Sequence, residues 1–341
     1  MGSFDELRGG RRLPRISTAA RSQMAAALRV VACVVLSILA VRQVEVDEVL
    51  ARADTRLLLA VALAAVLLGA SAWPQAARWR LIAYTLRVRL DRSLALRATL
   101  ISFFLLAVTP STLAADGARA IALRGSGSDW TGSIHSVLVD RLLGLATLLL
   151  VALVGIPLLL AKAPPLRNII GWPLTVAVIA AASGIALVAR RLPRRWLRFR
   201  SVREWARLAR TLRTVLSDRR SLLGASLYSL FIMALAMLAF SLIAAAAGAR
   251  ADLATVLGIF PIVLLASVLP ISVGGWGARE LGLVALYPYF GTEPPVAMAV
   301  SVAFGLATLI AGLVGIVASY WIRPRNPVSE AAPTRSNENG E

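Results

Sequence analysis

The chain has very few of the residues that build disulfides, metal sites and active sites. Cys33 is its only cysteine, His135 its only histidine and Lys162 its only lysine. One cysteine excludes a disulfide framework and a thiolate metal site within the chain. A lone histidine leaves no partner for a zinc site of the usual kind, and a structural role for His135 is favoured. No nucleophile–base pair is apparent either, so we expect no catalytic residues, no metal, no cofactor and no enzymatic activity.

Acidic residues are also scarce, because 18 aspartates and glutamates face 37 basic residues and leave a net charge of +19. Hydrophobic residues make up 58% of the chain, and the mean hydropathy is +0.74. These values predict an all-α polytopic membrane protein. The arginines lie in short segments between apolar runs, so their charge indicates membrane orientation, and we expect no nucleic-acid partner.

Six apolar runs are long enough to cross a bilayer as helices, at residues 24–41, 57–77, 137–161, 170–189, 221–247 and 296–322. They predict a single membrane domain over residues 24–322. The basic N-terminus (1–23), the arginine-rich segment 191–220 and the disordered polar tail (323–341) are all expected in the cytoplasm, since basic loops stay inside. The predicted location is therefore the cell (cytoplasmic) membrane, with multiple passes and both termini cytoplasmic.

Segment 191–220 has the pattern of an amphipathic helix. Trp205, Leu208, Leu212 and Val215 fall on one face, and arginines fall on another. This pattern predicts a helix that lies on the anionic lipids of the inner leaflet. Docking of a partner enzyme is the alternative.

Two stretches of the chain match each other at an offset of 160 residues. Residues 110–119 and 270–279 both fit Pro-x6-Gly-Ala-Arg, and the same offset relates spans 57–77 and 137–161 to the spans near 221–247 and 296–322. Counting sides from the basic loops, each stretch must leave on the face from which it entered. We predict two re-entrant hairpins that enter from opposite faces, in an inverted repeat of about 57–161 and about 221–322.

The predicted hairpin tips have the chemistry of an anion site. Proline ends the first leg, and glycines permit a tight turn and a close backbone approach to a ligand. Arg119 and Arg279, expected in the first turn of the second leg, can hold a lipid phosphate through two parallel hydrogen bonds. The alternative is that Arg119 pairs with Asp116, and Arg279 with Glu280, as structural locks. The remaining tip residues are Pro110, Gly117, Pro270, Ser272, Gly274, Gly275 and Gly277.

Two further groups of charged residues lie near the predicted spans. Asp140 and Arg141 are adjacent and do not face each other on a helix, so they either reach the first tip or mark the membrane interface. Arg78, Trp79 and Arg80 have the pattern of an anchor at the membrane interface.

These residues together carry a resemblance to a known family. Residues 109–119, 139–144 and 269–280 resemble the signature of the flippase-like membrane domains related to the transmembrane part of lysylphosphatidylglycerol synthase. The resemblance covers roughly residues 25–322. It implies a bacterial or archaeal membrane protein that moves or handles phospholipids or polyprenyl-linked lipids, and functional roles for Arg119, Arg279 and Glu280. Only 19 residues follow Ile322, so we do not expect the soluble aminoacyl-transferase domain or lipid aminoacylation.

We therefore expect transbilayer movement of an anionic phospholipid or a polyprenyl-phosphate-linked lipid. The alternative is an accessory or scaffold protein that binds the lipid carrier of a membrane glycosyltransferase without moving it.

Overall fold

The computed structural model describes residues 54–109, 112–167, 175–176, 179–180, 183, 200–268 and 275–322. Every element with defined bounds in this part of the chain is a helix. The ten α-helices are α1 (Thr55–Ala70), α2 (Ala72–Thr85), α3 (Arg92–Val108), α4 (Thr112–Gly125), α5 (Trp130–Lys162), α6 (Arg200–Ser217), α7 (Arg219–Ala246), α8 (Leu253–Val268), α9 (Ala278–Leu286) and α10 (Pro294–Trp321), with a 3-10 turn at Tyr287–Phe290 between the last two.

Aspartates begin several of these helices. The side chains of Asp54, Asp91, Asp129 and Asp218 accept hydrogen bonds from backbone N–H groups in the first turns of α1, α3, α5 and α7. Such caps satisfy donors that have no partner within the helix. At Asp218, the hydroxyl of Ser221 and the N–H of Arg220 donate to the carboxylate, and these bonds hold its pKa below the usual value.

Four of the six predicted spans are confirmed as helices long and apolar enough to cross a membrane. They are α1 and α2 taken together (Thr55–Thr85), α5, α7 and α10. The first of these is divided at Ser71, and backbone hydrogen bonds continue across the junction. The other two predicted spans, 24–41 and 170–189, lie outside the described residues or nearly so, as do the segment 1–23 and the tail.

Each predicted hairpin corresponds to two consecutive helices. In the first half α3 ends at Val108 and α4 begins at Thr112, and in the second half α8 ends at Val268 and α9 begins at Ala278. Helix α8 is apolar but has only 16 residues, too few to cross the roughly 30 Å hydrocarbon core. The order of elements is the same in both halves: a long helix, an interrupted pair and a long helix. Their re-entrant path and inverted orientation stay predictions.

Each half packs one of its shorter helices against a long helix of the other half. Helix α3 of the first half lies along α10 of the second, and α8 of the second half lies along α5 of the first. Glycines permit both contacts: a Cβ on Gly155 would stand 2.0 Å from the Leu257 carbonyl oxygen, and one on Gly315 would stand 3.3 Å from Leu100. Gly155 and Gly315 are themselves 160 residues apart, the offset of the sequence repeat. Small residues at helix crossings are typical of membrane helix packing.

An aromatic cluster fills the core of the second half. Phe240 of α7 packs on Phe260 of α8, with ring centroids 4.9 Å apart, and both contact Phe304 of α10. Tyr287 stacks on Phe240 from the 3-10 turn. This cluster joins four elements into one packed unit, because each aromatic ring buries a large apolar area.

The amphipathic helix α6 packs differently from the prediction. Leu208, Leu212 and Val215 are buried against Ile82 of α2 and Val139 of α5, so these apolar residues contact the protein and not the lipid. Trp205, predicted on the same face, is exposed. The sequence pattern could not distinguish the two partners, because protein and bilayer both bury an apolar stripe. Contact between the arginines of this segment and anionic lipids stays a prediction.

Candidate functional site

The first candidate site is centred on a carboxylate buried between two arginines. Asp140 of α5 accepts a hydrogen bond from Nε of Arg78 at Oδ1 (2.8 Å) and from Nη1 of Arg119 at Oδ2 (2.9 Å). The exposed fractions are 1% for Asp140, 6% for Arg78 and 3% for Arg119. Helices α2, α4 and α5 each contribute one of these three residues. Two guanidinium charges face one carboxylate charge, so among the described residues the cluster holds one uncompensated positive charge.

Arg119 has hydrogen-bonding capacity that this cluster does not use. Within the described part of the chain, its Nε and Nη2 atoms are buried and have no hydrogen-bond partner. These two nitrogens form one edge of the planar guanidinium group, from which two N–H bonds point in parallel. Buried donors without partners are rare and costly in proteins. That edge fits two oxygens of a phosphate or carboxylate.

The other neighbours of Arg119 hold its guanidinium in place. The group lies over the ring of Trp79, 4.2 Å from the centroid, in a cation–π arrangement. The Trp79 indole N–H donates to the hydroxyl of Ser136 on α5 (3.2 Å). On the other side of Asp140, Arg78 donates from Nη1 to Ser229 of α7 (2.9 Å). Three helices of the first half and α7 of the second therefore meet at this cluster.

A second ion pair lies beside the cluster. Nε of Arg141 donates to Oδ1 of Asp116 at 2.6 Å, and both side chains are partly exposed. Asp140 and Arg141 therefore both reach α4, the helix after the first break. The alternative prediction, that Arg119 pairs with Asp116, is wrong. Arg119 instead pairs with Asp140, and Asp116 pairs with Arg141.

The second candidate site is a compact pair at the start of α9. Arg279 donates from Nη2 to Oε1 of Glu280 (2.9 Å) and from Nε to the Ser301 hydroxyl (3.1 Å). Ser301 donates in turn to the same carboxylate oxygen (2.8 Å), and the N–H of Gly277 donates to Oε2. The Arg279 guanidinium lies over the Trp276 ring. One arginine faces one glutamate here, so this buried site is formally neutral.

Glycines shape the second site. Gly275 and Gly277 have φ of 85° and 84°, a left-handed region that strongly favours glycine. A Cβ on Gly305 of α10 would stand 2.4 Å from Nη2 of Arg279 and 2.7 Å from the Trp276 ring. The pocket for the arginine–tryptophan stack therefore exists because residue 305 has no side chain.

The profile of the family described as the lysylphosphatidylglycerol synthase TM region matches residues 24–315, which include both sites. The chain belongs to this family. Among curated proteins, none matches the chain closely enough to count as a relative. Membership identifies a multi-pass membrane protein of a lipid-related family. It does not by itself assign a role to any residue, because function is a property of sites and not of folds.

Within this family domain, the predicted tip residues fall into three groups. Arg279 lies in the first turn of α9 and Gly275 and Gly277 in the turn before it, as predicted. The expected positions of Gly117 and Arg119 are wrong: α4 already begins at Thr112, so both lie inside a continuous helix and Gly117 makes no turn. Pro110, Pro270, Ser272 and Gly274 lie outside the described residues.

The two arginines lie in separate clusters of the family domain, each with its own acid and its own tryptophan. Arg119 contacts Asp140 and Trp79, whereas Arg279 contacts Glu280 and Trp276. Each carboxylate lies within hydrogen-bond distance of its arginine, and the first cluster has a second arginine, Arg78, that has no counterpart among the described residues of the second. Whether one phosphate contacts both arginines stays a prediction. Among the described residues, no three His, Cys, Asp or Glu side chains converge as a metal site requires.

Sequence reasoning missed Arg78 and its neighbours. Arg78 and Trp79 were interpreted as an interfacial anchor, but both are buried, and Trp79 has no exposed surface. The interpretation is wrong because Arg78 finds its partners far away in the sequence, at Asp140 and Ser229. One signal was available: an aspartate inside an apolar span requires a basic partner, and Arg78 directly follows the preceding apolar run, 57–77.

Proposed function

We propose that the chain moves an anionic lipid across the bilayer, and that Arg119 binds the lipid phosphate. The lipid is a phospholipid or a polyprenyl-phosphate-linked lipid. The observation that carries the proposal is the buried Nε–Nη2 edge of Arg119, which has no hydrogen-bond partner among the described residues and lies in a cluster of two arginines and one aspartate. A phosphodiester supplies both missing partners, since it brings one negative charge and two oxygens at the right spacing.

The neighbours of Arg119 support this role. Asp140 holds Nη1 and Trp79 covers one face of the guanidinium, so the free edge is oriented before a ligand arrives. Orientation in advance lowers the entropy that binding costs. The charge on Arg78 adds attraction without competing for the ligand geometry, because Arg78 donates to Asp140 and Ser229.

Arg279 enters the proposal as the second phosphate-binding residue, with a condition. Its guanidinium is neutralised by Glu280 and donates to Ser301, so the pair must separate before Arg279 can bind a phosphate. A second site whose arginine is neutralised, beside a first site with donors that have no partner among the described residues, fits alternating access between two repeats. The matched element order and the exchange of α3 and α8 between the halves favour such a repeat.

The test is transport of a fluorescent anionic phospholipid by the purified chain in proteoliposomes. Arg119→Lys keeps the charge but removes the two-pronged edge, so we expect transport to fall by about 10- to 100-fold, the equivalent of one charge-assisted hydrogen bond of roughly 1.5–3 kcal/mol. Arg89→Gln is the matched control, because Arg89 is exposed in the α2–α3 connection, and its transport rate should be that of the unchanged protein.

Two further outcomes separate the alternatives. If both arginines contact one phosphate, Arg119→Ala and Arg279→Ala each abolish transport and the double variant is no worse. Additive losses would favour two independent sites.

A folded protein that binds the lipid, but whose rate of lipid movement never exceeds that of protein-free vesicles, contradicts transport. That result would favour the accessory role beside a membrane glycosyltransferase.

A further inference from the structure

A groove of about 500 Å³ opens where α2 ends, α5 begins and α6 crosses them. Its walls include Thr131 and His135 of α5 and Arg207, Arg210 and Thr214 of α6, with Arg87 after the end of α2. The Thr211 hydroxyl of α6 lies 3.4 Å from Nδ1 of His135 and joins the two walls. Three of the lining residues are arginines, and none of the described lining residues is acidic.

Beside the groove lies an apolar compartment of about 300 Å³, whose lining shares Thr131 and His135 with the groove. Trp130, Ile134 and Leu138 of α5 line it on one side, and Trp205 of α6 lines it on the other. The three α5 residues are spaced by four, so they form a strip along one helix face. All four side chains are substantially exposed, at 52%, 44%, 39% and 58%.

The level of this groove in the bilayer follows from the length of α5. The helix has 33 residues, or about 50 Å, against a hydrocarbon core of about 30 Å. The apolar run of this helix begins at Val137, so the turns before it, with Trp130 and Thr131, are expected in the headgroup region, and the strip from Ile134 to Leu138 runs towards the acyl chains. Tryptophans at this depth are typical of membrane interfaces.

Arg87 has an unusual backbone. Its φ is 58°, and no other non-glycine residue in the described part of the chain has a positive φ. It follows the C-terminus of α2, where Val88 N–H donates to the Ala83 carbonyl at 2.9 Å, the hydrogen bond of a helix end that ordinarily has glycine at this position. An arginine in this conformation has a conformational energy cost that a glycine would not have. Its side chain lines the polar part of the groove.

We propose that this groove binds one anionic glycerophospholipid of the bilayer. The head-group phosphate lies among Arg87, Arg207 and Arg210, and an acyl chain follows the strip from Trp130 to Leu138. Charge complementarity selects an anionic head group, and the apolar compartment that adjoins the arginines selects a lipid over a soluble anion. The site is separate from Arg119 and does not rest on transport. The bound lipid fastens α6 to the beginning of α5.

The test uses the full chain in phosphatidylcholine nanodiscs with a small fraction of a photoreactive phosphatidic acid that carries a diazirine in its acyl chain. After irradiation, mass spectrometry locates the labelled peptides. We expect labelling of the α5 segment 130–138 and of Trp205, with about five-fold loss for each arginine removed, as expected for a basic residue near an anionic head group. Labelling should fall at high salt, and photoreactive phosphatidylcholine should label this segment weakly.

Arg87→Gly separates lipid binding from folding. It removes the charge and relieves the backbone, so thermal stability in detergent without added lipid should rise, while labelling in nanodiscs falls. Arg210→Gln should lower labelling as well. The matched control is Arg219→Gln, which removes an exposed arginine near the same end of the bundle but outside the groove, and it should label normally. Arg119→Lys should also label normally, which distinguishes this site from the transport site.

Three results overturn the proposal. Equal labelling by the phosphatidic acid and phosphatidylcholine probes means that the head group is not recognised. Unchanged labelling in both Arg87→Gly and Arg210→Gln means that the arginines do not hold it. Competition by inorganic phosphate, beyond that of chloride at equal ionic strength, means that the groove takes a soluble anion.

Discussion

At the scale of single residues, Asp140 determines the first site. Its two oxygens orient both arginines, and it is the carboxylate that offsets part of their charge. Buried ion pairs rarely stabilise a protein much in total, because removing the ions from water costs about as much as their attraction returns. Removing one partner is different, since the charges that remain are buried without compensation.

Asp140→Asn is therefore expected to destabilise the protein by about 3–5 kcal/mol, because Arg78 and Arg119 keep their buried charges. The matched control is Asp116→Asn, since the Asp116–Arg141 pair is partly exposed and such pairs contribute about 0–1 kcal/mol. Thermal unfolding in detergent measures both. Equal shifts for the two variants would contradict the buried cluster.

The contrast between Asp140 and Arg78 shows what the sequence can predict about a site. Asp140 and Arg141 stand out because acidic residues are rare in this chain, and reaching the first tip was one of two predicted roles. Arg78 did not stand out, since it follows an apolar run as interfacial arginines do. Its partners are 62 and 151 residues away, and such tertiary contacts leave no local pattern.

At the scale of elements, the sequence predicts the long helices well and the breaks less well. Apolar runs locate α5, α7 and α10, because only helices bury their backbone in lipid. A proline indicates that a helix stops but not how soon the next one begins. After Pro110 the gap is short and α4 takes in Gly117, whereas the second gap extends to Gly277. The same motif is therefore followed by a helix that begins at a different position in each half.

Replacing Gly155 or Gly117 with alanine should change the stability of the protein in opposite directions. Gly155→Ala places a Cβ 2.0 Å from the Leu257 carbonyl oxygen, so α5 and α8 must separate, at a cost of about 1–3 kcal/mol or more. Gly117→Ala is the control, because a Cβ there meets nothing within 4 Å and alanine favours a helix by about 0.5–1 kcal/mol. Thermal unfolding in detergent measures the direction of the stability change for both variants. Stabilisation by Gly155→Ala would contradict the close crossing.

At the scale of the whole molecule, the two halves are interlocked. Each half contributes a short helix that packs on the last long helix of the other, and Arg78 reaches across to Ser229 on α7. Movement at one break therefore changes contacts in both halves. The 160-residue offset in the sequence indicated the matched halves, but the exchange of α3 and α8 comes from tertiary packing that the offset alone does not specify.

The predicted orientation of the molecule can be tested with impermeant thiol reagents in intact cells. In a Cys33→Ser background, Glu293→Cys at the start of α10 should react, and Arg89→Cys between α2 and α3 should not, because the positive-inside rule places Arg89 in the cytoplasm. Permeabilised cells provide the control, in which both cysteines should react. Labelling of Arg89→Cys in intact cells would reverse the predicted topology.

The uncompensated charge of the Arg78–Asp140–Arg119 cluster also has an electrical consequence. A charge that moves through the whole membrane field does work of about 2.3 kcal/mol per 100 mV. In the proposed transport cycle, an empty site with one net positive charge would therefore be drawn towards a negative interior. A phosphodiester bound there would cancel that charge, so the loaded site would move with almost no electrical work. In such a carrier the membrane potential acts on the return of the empty site, and the bilayer voltage biases the cycle without acting on the lipid itself.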